Sequence, residues 1–161
     1  TYTDTTVATA VNYSDLLGQT LFDPVDVAGW QRDRQWINTN FIIGRWLTLL
    51  DIVDGFYQAD EDQFRTFAMD AVGTANQGTS NPEIVVRAIV DKLTPKGMYT
   101  EQEFDNCMSA FKIDDIPEIY YGPDYIVGGQ SLWVLNITPS VPQQVLLLIK
   151  HLSRQPEFQL K

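Results

Sequence analysis

The sequence predicts a mainly α fold, a single bundle-like domain spanning residues 1–161 and built from about six helices. Three observations predict it. Apolar residues recur at helical spacing in several separate segments, most of those segments open on a capping residue, and the links between them are short enough to make neighbouring helices antiparallel. A chain of 161 residues, 44% of them hydrophobic, can bury a real core.

Val7 to Leu17 reads as a first short helix, stopped by Gly18. Gln19 to Asn38 keeps neither helical nor strand periodicity and reads as a long aromatic loop. From Thr39 to about Val53 the apolar residues Phe41, Ile42, Ile43, Trp46, Leu47, Leu49, Leu50, Ile52 and Val53 leave only a narrow polar line of Asn40, Gly44, Thr48 and Asp51. A helix with so narrow a polar stripe is expected to be mostly surrounded by protein. Gly44 on the line marks either a close backbone approach or an exposed position. Asp60 with Gln63 suggests a capping box for a helix to Val72, with Phe64, Phe67, Ala68, Ala71 and Val72 buried. Asn81 and Pro82 open a helix with Ile84, Val85, Ala88, Ile89 and Leu93 inward. Thr100 with Glu103 opens another, to about Phe111, burying Phe104, Met108 and Phe111. Residues 116–136 offer either a short β-hairpin, with strands at Ile116–Tyr121 and Leu132–Leu135, or an ordered aromatic loop. Ser140, Pro142 and Gln143 announce a final helix with Val145, Leu146, Leu148, Ile149 and Leu152 on its apolar face.

Composition narrows the function. The net charge of −10 argues against a nucleic-acid partner and against anionic lipid, both of which need clustered cations, and it favours a monomer through self-repulsion. No apolar run reaches the roughly 18 residues of a membrane span. One cysteine, Cys107, permits no intrachain disulfide, which is compatible with cytoplasm and equally with a periplasm or cell surface. The chain starts at Thr1 without Met and reads as a piece of a longer protein.

Signatures of chemistry are sparse. One His and one Cys, His151 and Cys107, make neither a triad nor a zinc set, so no metal is expected. Both read as structural: Cys107 as a small core hydrophobe, His151 as a partly buried helix residue. Asp60-Glu61-Asp62 and Asp114-Asp115 lack the calcium-loop pattern and read as solvated charges. Walker and dinucleotide fingerprints are missing, so no cofactor is expected. The most unusual stretch is Leu17 to Trp30, followed by Trp36 to Thr39, which gathers Gln19, Asp23, Asp26, Trp30 and Trp36. Rings beside acid and amide groups suit a sugar or peptide surface; equally, the two Trp could plug the core. Tyr121 and Trp133 supply a second aromatic group.

Those residues also carry a resemblance. Leu17-Gly18-Gln19-Thr20-Leu21-Phe22-Asp23-Pro24, running on to Gly29-Trp30, then Trp36-Ile37-Asn38-Thr39, a helix bearing Arg45, and the closing Pro156-Glu157-Phe158-Gln159, resemble the C-terminal part of the bacterial domain of unknown function 1800 family. Two positions depart from its pattern: Val25 stands for a second proline, and Gln31-Arg32-Asp33 for a Pro-Gly-Gly-like turn. The resemblance implies a helical portion preceding this one and export to the periplasm or beyond, and it brings no established activity. Three functions follow as expectations. The first is a non-enzymatic module that binds a glycan or an envelope protein, or supports assembly, through Gln19, Asp23, Asp26, Trp30, Trp36, Arg45, Tyr121 and Trp133. The second is a structural cap. The third is part of a hydrolase completed by the preceding portion, with Asp23, Asp26 or Arg45 contributing.

Overall fold

A computed structural model describes residues 4–16, 39–94, 100–112, 126–127, 130–131, 133–155 and 158. It is mainly helical, as the periodicity predicts: α1 Asp4–Leu16, α2 Thr39–Ala59, α3 Asp62–Val72, α4 Pro82–Leu93, α5 Glu101–Phe111 and α6 Val141–Ser153. The chain divides into two compact units at Ile52/Val53, inside α2.

In the first unit, α2 does not turn its polar line outward as a whole. Gly44 and Thr48 are buried, while Ile43 and Leu47 are 45% and 53% exposed; Asp51 alone of the three is exposed. Gly44 explains the choice of face. A Cβ there would fall on the carbonyl oxygen of Leu16 and 3.2 Å from its carbon, so the backbone of α1's last residue lies directly against α2. The smallest residue therefore faces the contact, and the bulkier apolar side chains beside it are displaced outward. The Thr48 hydroxyl and the Trp46 indole N–H are buried without a hydrogen-bond partner among the described residues, each at a cost of about 1–3 kcal/mol.

The second unit holds the core. α3 packs on α4 and α6, and α5 packs on α6 and α4. α6 supplies Val141, Val145, Leu146, Leu148 and Leu152 to the buried cluster, with Ile149 packed against it, as its apolar face predicts. Phe64 and Ala68 come from α3, and Cys107 and Phe111 from α5; Phe67, Ala71, Val72, Phe104 and Met108 are only partly covered. On α4 the buried stripe is Pro82, Val85, Val86, Ile89 and Val90. It lies one position on from the expected set: Ile84 is 38% exposed, and Val86 and Val90 take the inward places assigned to Ile84 and Ala88. A Lys150–Asp54 ion pair joins α6 to the end of α2 within this unit.

The helix ends show which local signals held. Asn81 Oδ1 accepts from Glu83 N–H at 2.9 Å with Pro82 in the first turn. The Thr100–Glu103 box closes in both directions, at 3.2 and 3.0 Å. Asp60 does not form a box with Gln63. Its carboxylate accepts from Asp62 N–H at 3.2 Å, and its carbonyl takes Gln63 N–H, so a turn precedes α3 and the helix starts at Asp62. Ser140 does not cap α6. It already has helical φ and ψ, and its hydroxyl is buried with no partner among the described residues.

Among the described residues one antiparallel ladder occurs, pairing Ile126 with Ser131 and Val127 with Gln130. Of the two strands the sequence offered, 116–121 lies outside the described residues, and the stretch from Trp133 to Leu135 is not a strand. Its backbone bonds are local or go to the loop before α4: Val134 N–H donates to Thr138 Oγ1 at 2.8 Å, and Leu135 N–H to the Thr79 carbonyl at 3.0 Å. No helix among the described residues is long and apolar enough to cross a membrane.

Candidate functional site

A hollow between α4 and α5 encloses about 510 Å³. Two caps create it. The Asn81 cap sets Glu83 in the first turn of α4, and the Thr100 box sets Glu101 and Glu103 in the first turn of α5, where carboxylates offset the positive helix end. One turn along α4 from Glu83 comes Arg87. Its guanidinium bonds the Glu83 carboxylate at 2.8 Å and lies 4.4 Å above the Phe104 ring of α5. That contact bridges the two helices and roofs one end of the groove.

α5 forms the opposite wall. Glu101, Phe104, Asp105, Met108, Ser109 and Lys112 all line it, a set at intervals of three and four that marks a single helix face. Phe104 and Met108 rest partly on the core and give the groove an apolar floor. On the other flank of α4 a shallower hollow of about 370 Å³ shares Glu83 and Arg87 and adds Asn76, Asn81, Ile84 and Asp91.

Among the described residues, Cys107, His151 and Tyr57 lie away from this groove. Cys107 is fully buried, and burial, with a contribution from Glu103, pushes its thiol up from its ordinary 9.0 to about 11. A thiol held protonated is a core residue and a poor nucleophile, as the sequence suggests. His151 is half-buried on α6, its ring nitrogen 3.0 Å from Gln155 Nε2. Burial, and next the Arg154 charge, lower its pKa. Tyr57 is raised by burial and by Glu61. Among the described residues no three His, Cys, Asp or Glu side chains are grouped to hold a metal ion.

Of the residues singled out from the sequence, Gln19, Asp23, Asp26, Trp30, Trp36 and Tyr121 lie outside the described residues. Arg45 is half-buried on α2 in the first unit. Trp133 belongs to the core of the second and is corrected here. It is wholly buried, meets Phe111 edge-on at 6.0 Å and donates its indole N–H to Gln144 Oε1 at 2.9 Å. A ring so enclosed offers no face to a ligand; it is large and apolar, and its one polar atom is satisfied inside. The groove residues Arg87, Phe104, Asp105 and Met108 were not singled out. The Glu83–Arg87 and Phe104–Met108 spacings were readable, but nothing local says that the two helices bring them together.

The family model described as a protein of unknown function, DUF1800, matches residues 3–160. No curated protein and no solved structure matches the chain.

Proposed function

Because this chain belongs to the DUF1800 family of proteins of unknown function, we propose from its groove rather than from its relatives that it is a non-enzymatic helical module. It serves an exported bacterial protein by docking a partner protein at the cell envelope. The observation that carries the reading is the α4–α5 groove, with its partly covered Phe104–Met108 floor and charged rim. Apolar floor with polar rim is the anatomy of a protein contact. A protein partner is favoured over a glycan because the groove's one ring, Phe104, already carries Arg87 on its face, leaving no open platform for a sugar. The buried thiol of Cys107, held protonated, supports a role in binding rather than in thiol chemistry. Export rests on the family resemblance alone.

A photo-crosslinking residue at Ser109, exposed on the groove wall, tests this in living bacteria. The expected result is an adduct with a protein of the envelope fraction that disappears when Phe104→Ala removes the groove's apolar floor. Adducts that persist with Phe104→Ala, or none at all, would remove the reading.

A further inference from the structure

Resting on that docking role, we propose the chemistry of the partner: an amphipathic helix bearing two basic residues one turn apart, lying along α5 over Glu101 and Asp105. The argument is one of charge. Arg87 is spent internally, on Glu83 at 2.8 Å and on the Phe104 ring. Lys112 sits at the C-terminal cap of α5, beside carbonyl ends that offset a cation. That leaves Glu101 and Asp105, both exposed, four residues apart on the rim; among the described residues neither has an ion-pair partner. Glu101 gains some relief from the helix start, but Asp105, a turn further in, gains little.

The groove wall is therefore negative over its first turns. A complementary helix places Lys or Arg at i and i+4 over Glu101 and Asp105, and an aliphatic residue at i+3 or i+7 over Phe104 and Met108. The long-range field agrees: a net charge of −10 draws a basic segment in and repels a second copy of this chain.

The test titrates the full chain into a fluorescent helix-forming peptide with Lys at i and i+4 and Leu at i+3 and i+7. Companion peptides carry Glu for Lys, or Ser for Leu. The Lys–Leu peptide is expected to bind, and both companions more weakly. Reversing Glu101 and Asp105 to Lys should weaken binding about tenfold, and neutralising them to Gln and Asn about threefold. The control pair Asp51→Lys with Asp70→Lys, exposed elsewhere and equal in net charge to the reversal, should cost less than about twofold. Circular dichroism checks the folding of each variant, and the milder Gln–Asn pair decides should the reversal disturb the start of α5. Equal losses from groove and control pairs would overturn the inference, since only net charge would then matter. If the Glu–Leu peptide binds better, and Phe104→Ala abolishes it, the charge inference falls while docking stands. If no peptide binds and Ser109 gives no adduct, both fall.

Discussion

Two aromatic residues of α5's neighbourhood meet opposite fates. Trp133 is enclosed between α5 and α6, with its ring against Phe111 and its N–H on Gln144. Phe104, on the same helix as Phe111, is left partly uncovered as the floor of a charged groove. What separates them is the polar partner. Gln144 satisfies Trp133 within the core, so nothing of that ring needs solvent. The group over Phe104 is a guanidinium, which must keep contact with water or a carboxylate and so holds the site open to the surface. A ring under a cation marks an accessible place; a ring bonded to a buried amide marks a finished one.

The comparison predicts a graded set of losses. Trp133→Ala removes the largest fully buried side chain among the described residues and one of Gln144's partners, and should cost about 3–5 kcal/mol in chemical denaturation. Gln144→Leu keeps the volume but orphans the indole N–H, for about 1–3 kcal/mol. A neutral result there would show that Trp133 is held by packing alone. Phe104→Leu, half-buried, should cost about 1 kcal/mol. Arg87→Glu breaks an exposed pair and a ring contact for less than about 1 kcal/mol. The smallest effect is that of His151. Its pKa is lowered in the folded chain, so below its ordinary 6.5 the unfolded chain binds the proton more readily. That contribution to stability is present above 6.5 and lost as pH falls through this value toward the lowered pKa. His151→Gln should flatten this part of a stability–pH curve.

The fold was legible where one residue decided one interaction. Asn81 and the Thr100–Glu103 box cap as read, and α6's apolar face is its buried face. Legibility failed where several faces were equally apolar. α2 could have buried almost any side, and the outcome turned on the Leu16 backbone lying against Gly44, a contact invisible in periodicity though Gly44 itself was a hint. On α4, Ile84 and Val86 competed for the core, and neighbouring helices chose Val86. The candidate site was the least legible part. Trp133 stands beside Tyr121 in a second aromatic group, and a large ring there is a reason for burial as much as for binding. Arg87 and Phe104 look ordinary until α4 and α5 meet.

The most direct test measures unfolding free energy and Ser109 adduct yield side by side in Trp133→Leu and Phe104→Ala, at a temperature where both remain folded. The prediction is a crossed result: several kcal/mol lost with the adduct retained in the first, about 1–2 kcal/mol lost with the adduct gone in the second. If adduct yield simply follows stability in both, the groove has no function separable from the core and its assignment as a docking site is wrong.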